Sequence, residues 1–207
     1  MKKYLILIFA IAGVTFLLSG CVNLTQSMLS VSFVNDYSGS MPTTAISNME
    51  TAVKTFIGYM QSMDRGEYIA FGENVINESN GFVSPPVLLT KVGGAGVNPS
   101  GTALYDAIYQ GLSDLSGQPA GNVKALIVMT DGGDNASTHT SSDVIGYAKS
   151  LKIPIFTIGL GSSINSTVLQ NIATQTGGKY YYAPSSSDLL AIYNSLIKTV
   201  TGRIYLY

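Results

Sequence analysis

Apolar and polar positions along the chain follow two alternating rhythms. Short apolar runs at 29–35, 123–130 and 153–158 have the continuous character of strands buried on both faces of a parallel sheet. Between them lie segments with helical spacing, most plainly 43–63, where Ala45, Met49, Val53, Phe56, Ile57 and Met60 share one face. In order, the pattern predicts a strand at 29–35, a helix at 43–63, strands at 68–71 and 82–89 joined across 72–81, and a helix at 103–115. A strand at 123–130, a helix at 142–151 and a strand at 153–158 follow. The last elements are a helix at 168–176 ending at Gly177-Gly178, a strand at 179–183 and a helix at 188–200 capped by the serines before it. Pro85 and Pro86 cannot donate to a ladder, which puts the 82–89 strand at an edge. Tyr180, Tyr181 and Tyr182 alternate along one strand, so at least one faces the core. This alternation predicts an α/β fold: a doubly wound, mostly parallel sheet with one antiparallel edge strand and helices on both faces.

The N-terminus has a different character. A basic start at Met1-Lys2-Lys3, a nearly unbroken apolar stretch over 4–18 and small residues before Cys21 read as an export signal. Leu18-Ser19-Gly20-Cys21 resembles the lipobox of bacterial lipoproteins, which implies that Cys21 is lipidated and the chain cut just before it. On that reading, 1–20 is a signal peptide, 21–27 a short tether, 28–203 one folded domain and 204–207 an apolar tail. An uncleaved anchor or a secreted product with an ordinary cysteine is the alternative, and either places the domain outside the cytoplasm. The lipoprotein reading implies the cell envelope: the outer membrane, favoured by Val22 after the cysteine, or the outer face of a plasma membrane. About seven residues separate Cys21 from the first strand, at most ~3.5 Å each, so the domain sits close to its membrane. The loops at the far end of that strand then face outward, and the last helix returns 203–207 toward the lipid, where that tail touches the interface, adds an edge strand or packs on the core.

Charge narrows the partners. Only 11% of residues are charged, and loss of Lys2 and Lys3 leaves 9 basic against 12 acidic residues, a change in formal charge from −1 to −3. There is no basic run or basic patch interleaved with aromatics, which excludes nucleic acid. With Cys21 the one cysteine, no internal disulfide staples the domain.

In a doubly wound sheet, ligands sit beyond the carboxyl ends of the strands, where three loaded loops fall. Asp36-Tyr37-Ser38-Gly39-Ser40 closes the first strand, 100–106 opens a helix at Thr102, and Thr130-Asp131-Gly132-Gly133-Asp134-Asn135 follows the 123–130 strand. Carboxylates and hydroxyls converging on one volume suit a hard cation, Mg²⁺, Mn²⁺ or Ca²⁺, and argue against zinc or copper, which favour imidazole and thiolate. Asp-x-Ser-Gly-Ser-Met, Gly-Thr-Ala-Leu-Tyr-Asp-Ala and Thr-Asp-Gly-x-Asp-Asn, in this order, resemble the metal-ion-dependent adhesion site (MIDAS) of von Willebrand factor type A domains. The resemblance implies that Ser38 and Ser40 ligate the metal directly, that Thr102 does so in at least one state, and that Asp36 and Asp131 act mainly through water. Neutral hydroxyls leave the metal electrophilic, with a position open to an acidic side chain of a protein partner.

Other residues receive plainer readings. Asn35 stands where the family has an apolar residue, so the first strand ends early or its amide bonds the loop. Asp134 caps its own turn, and Asp106 steadies the start of its helix or faces solvent. His139 is an exposed loop residue, and 93–96 is a flexible glycine loop beside the metal. A metal-dependent hydrolase or a phosphoryl-transfer enzyme using Asp36 is the alternative function. It lacks an imidazole or thiol aimed at the open position, a second acid two places after Asp36 and a phosphate-binding lysine, so the chain reads as a binding protein and not an enzyme. A subunit docking on a larger envelope assembly shares the same site.

Overall fold

The computed structural model describes residues 27–162 and 164–202. Its centre is β1 (Leu29–Asp36), buried over its whole length, between the parallel strands β2 (Arg65–Phe71) and β4 (Val123–Thr130). β5 (Ile155–Leu160) and β6 (Tyr180–Ala183) extend the parallel ladder, while β3 (Val75–Asn77) pairs antiparallel with β2 at the other edge. The resulting order is β3-β2-β1-β4-β5-β6. Alternate side chains of each strand enter opposite layers. Leu29, Val31 and Phe33 pack with α1 (Thr43–Gly58) and α6 (Leu189–Thr201), and Val34, Leu126 and Val128 pack with α3 (Leu104–Ser116), α4 (Ser141–Leu151) and α5 (Ser166–Thr176). Phe33 meets Phe56 of α1 edge to face at 5.2 Å, and each such ring, fully buried, contributes about 1.5–3 kcal/mol.

Because each long strand points the same way, the carboxyl ends of β1 and β4 meet at one end of the sheet and the amino ends of β1, β2 and β4 form the opposite end, the base. Between strands the chain must return, so α1, α3, α4 and α5 run toward the base.

The expected strand at 82–89 is corrected by the structure. Pro85 and Pro86 open a short helix, α2 (Pro85–Leu89), because a helix's first turn needs no N–H from proline and favours its fixed φ. Val83 contributes only an isolated bridge to Gly66, and the true edge strand, β3, lies inside the stretch expected to be a connection. The helix expected over 43–63 stops at Gly58, and the following turn is closed by Asp64 accepting from Gln61 N at 2.7 Å. Pro154 delays β5 to Ile155, and β1 runs through Asn35 to Asp36 instead of ending early. Tyr181 is buried and Tyr182 is half exposed. Gly178 is fixed by crowding: a Cβ there would lie 1.9 Å from the Ile155 carbonyl oxygen.

One polar group is buried against its preference. Glu67 of β2 lies beside Asp114 of α3, and the Asn77 amide of β3 donates to both, 2.9 Å to Glu67 Oε2 and 3.1 Å to Asp114 Oδ2. Burial, with the Asp114 charge adding to it, pushes the Glu67 carboxyl up to about 9 from 4.5. The unfolded chain releases this proton in the ordinary carboxylate range and the folded chain holds it, so the folded state loses stability as pH rises across that window. Glu67→Gln is expected to match the parent near pH ~4 and to exceed it by pH ~8 in urea midpoint. Gly178→Ala is expected to cost about 3 kcal/mol or more in the same assay, since the atoms it strikes are backbone.

Candidate metal centre

β1 delivers Asp36 to the end of the sheet with its side chain fully buried. Oδ1 accepts from Ser38 N at 2.7 Å, which folds the next residues into a tight turn, and Oδ2 accepts from Thr130 Oγ1 at 2.5 Å. Burial raises the Asp36 carboxyl above its ordinary range, and the hydrogen bonds from Ser38 and Thr130 offset part of that rise. The turn carries Ser38 Oγ to 3.1 Å from Ser40 Oγ, and Ser40 Oγ donates to Asp131 Oδ1 at 2.7 Å. Asp36, Ser38, Ser40 and Asp131 thus join the first and third loops through one polar chain.

Thr102 enters from the second loop and is buried. Its backbone is clamped to the third loop: Thr102 N donates to Asn135 Oδ1 at 2.8 Å, and Asn135 N returns a bond to Thr102 O at 3.1 Å. Gly39 N donates to Pro99 O at 2.8 Å and Ala103 N to Gly72 O at 2.6 Å, so the second loop is also tied to the first and to the end of β2.

The donor set fits a divalent cation. Two adjacent ligands of an octahedral Mg²⁺ at about 2.1 Å lie about 3.0 Å apart, and the Ser38 and Ser40 hydroxyl oxygens are 3.1 Å apart. A cation there would also supply the positive charge that the buried Asp36 carboxylate otherwise lacks. Ser38, Ser40 and Thr102 would hold it directly, with Asp36 and Asp131 behind them. Beside the site lies a hollow of about 250 Å³ that shares Ser40 and Asp131 and is completed by Thr44, Ser162, Leu160 and Pro184 among others. It leaves room for a ligand's neighbouring groups.

Several supporting residues carry roles that the sequence reading did not assign. Thr130 is the hydroxyl that orients Asp36, and it stands immediately before Asp131 in the third motif. Tyr37, between Asp36 and Ser38, buries its ring and places its hydroxyl 3.0 Å from Glu50 of α1 and 2.8 Å from the Tyr68 hydroxyl of β2. Gly94 fits against that ring; a Cβ would come within 2.3 Å of it. Asn35 faces the layer of α1 and α6, with Tyr193 of α6 donating to its Oδ1 at 3.5 Å. Asp134, expected to cap its own turn, accepts from Ser137 Oγ at 2.5 Å and also from Tyr105 N at 3.4 Å, which adds a bond to the start of α3.

His139 departs from its reading as an exposed loop residue. It is half-buried, stacks on Tyr109 at 3.9 Å and sets Nδ1 2.6 Å from Asp106 Oδ1. Partial burial works against the Asp106 charge, but donors from Thr138 and His139 outweigh it and hold the carboxyl below its ordinary range. Asp106 therefore pins the third loop to α3.

The fold is shared widely. A von Willebrand factor type A protein from Catenulispora acidiphila superposes with a TM-score of 0.75 at 20% identity, over 86% of this chain and 44% of that one. Proximal thread matrix protein 1 from the mussel byssus, solved with a zinc-occupied MIDAS motif, gives 0.71 at 19% identity, over 84% of this chain and 48% of that one. An uncharacterized protein of Synechocystis sp., sll0103, is 24% identical over 182 residues, 84% of this chain and 42% of its own length. The chain spans less than half the length of these three proteins. Residues 30–195 match the family model of the von Willebrand factor type A domain, and the chain belongs to that family.

Proposed function

We propose that this domain binds a divalent cation through Ser38, Ser40 and Thr102, supported by Asp36 and Asp131, and uses the cation to capture an acidic side chain of a protein partner. The observation that carries this reading is the polar chain from Thr130 through Asp36 and the two serines to Asp131, with two hydroxyl oxygens 3.1 Å apart, at adjacent-ligand spacing. Family membership supports it, since domains of this type are interaction modules built around such a site. Hydroxyl and carboxylate donors favour Mg²⁺, Mn²⁺ or Ca²⁺; zinc in the mussel protein's MIDAS makes Zn²⁺ the control.

Cys21 is the proposed lipid attachment point, tethering the domain to the cell envelope for adhesion or assembly of an envelope complex. Residues 1–26 and 203–207 lie outside the described residues, and with them the signal peptide, Cys21 and the apolar tail. Among the described residues no helix is long and apolar enough to cross a membrane. The non-enzymatic reading is kept over hydrolysis or phosphoryl transfer because the chain's one imidazole has its Nδ1 engaged by Asp106.

Calorimetric titration of a chain beginning at Asn23 with Mg²⁺ or Mn²⁺ is expected to show one saturable site. Ser38→Ala with Ser40→Ala is expected to abolish it without loss of the far-ultraviolet spectrum; binding retained by this variant overturns the site. At 100 times Kd the cation is expected to stabilise the fold by ~2.7 kcal/mol, about 5–10 °C in melting temperature. Thr130→Val, which removes the donor to Asp36, is expected to weaken cation binding by ~10–100-fold while the domain stays folded.

A further inference from the structure

We infer that the base of the domain, the end opposite the metal loops, is a docking surface for an anionic lipid bilayer. This deepens the reading above and rests on Cys21 being the lipid attachment point. Three large apolar side chains are exposed there, Met28 by 42%, Met63 by 59% and Val123 by 38%. Val123 N donates to Met28 O at 2.8 Å, and Met28 and Met63 share a hollow of about 370 Å³ with Phe82, Pro119 and Arg65. The apolar side chains therefore form one patch on the face where the chain enters the domain.

Cations lie at the same end of the fold as that patch. Arg65 and Lys124 both lie in register with Ser30, at the amino ends of their strands, where Arg65 donates to the carbonyls of Ser62 and Asp64 and Lys124 to that of Gln118. Lys149 and Lys152 are exposed at the descending end of α4, and Lys198 is exposed in the last turn of α6. Seven of the twelve acids lie toward the other end: Asp36, Asp131 and Asp134 in the metal loops, Glu73 after β2, Asp106 and Asp143 in the first turns of α3 and α4, and Asp188 just before α6. Three acids lie low in the fold, Asp64, Glu67 and Asp114, and all are engaged, Glu67 being buried and accepting from the Asn77 amide. Asp64 is buried and accepts from Leu29 N at 2.8 Å, and Asp114 accepts from Asn77 and Gln110.

The domain is thus polarised along its strands, basic and apolar at one end, acidic at the other. Six residues from Cys21 reach Ser27, at most ~3.5 Å each, so a lipid on Cys21 holds the base within ~20 Å of head groups. Over that range, basic side chains are drawn to anionic phosphates while methionine and valine enter the interface, and the acidic metal loops are turned away from the bilayer.

The test uses the full acylated chain in vesicles of phosphatidylcholine with or without phosphatidylglycerol. Acylation leaves the introduced cysteine as the sole free thiol, so spin labels are placed through Met63→Cys or, near the metal loops, Ser162→Cys. Collision with a water-soluble nickel complex is expected to fall about threefold or more at position 63 relative to 162 on anionic vesicles. That difference is expected to vanish on neutral vesicles and in Lys124→Glu with Lys152→Glu. Equal accessibility at 63 and 162 on anionic vesicles, or equal shielding on both vesicle types, overturns the docking surface. The mass of Cys21 is read separately. If it is unmodified, the anchor reading fails, and the Cys21→Ser forms of the labelled chains are mixed with the same vesicles: shielding at 63 alone upholds the surface, and its absence removes it.

Discussion

A carboxylate taken wholly out of water at the end of the central strand organises this domain. Burying Asp36 is costly unless its oxygens are satisfied, and each bond that satisfies them recruits another piece of chain. Ser38 N closes the first loop, and Thr130 brings the end of β4 against β1. The remaining deficit is one of positive charge, which the proposed divalent cation would supply. A cation also finds hydroxyls already arranged around it. On the proposed function, fold stability and cation binding are linked through this one group.

The surroundings make that arrangement stiff. Tyr37 buries its ring beside the first loop and bonds α1 and β2 through its phenol. Asn135 bonds the third loop to Thr102 in both directions, and Asp106 fastens the far part of that loop to α3. Three segments distant in sequence are held by hydrogen bonds to backbone N–H groups, which fix position more firmly than contacts between long side chains.

Much of this was readable in the chain. Alternating apolar runs and helical periodicities reported the doubly wound sheet because both faces of β1 and β4 are covered, and such burial leaves a continuous apolar signature. Oxygen-bearing residues closing β1 and β4 and opening α3 pointed to one candidate site, because strand direction determines where such loops meet. The edge hairpin was misread because β3 is three residues long and only half-buried, too short for a periodic signal, while Val83 to Leu89 has strand-like composition with a proline pair that starts a helix instead. The supporting roles of Thr130, Tyr37 and Asn135, and the Asp106 to His139 contact, depend on long-range partners, about which local sequence carries no information.

The hairpin has a consequence for behaviour at high density. Interior strands of six to eight residues are bordered by outer strands of only three and four, β3 and β6. A lateral neighbour would find little unpaired backbone to template on. Many copies crowded side by side on one surface would keep their sheets separate, and each would remain available to its own ligand.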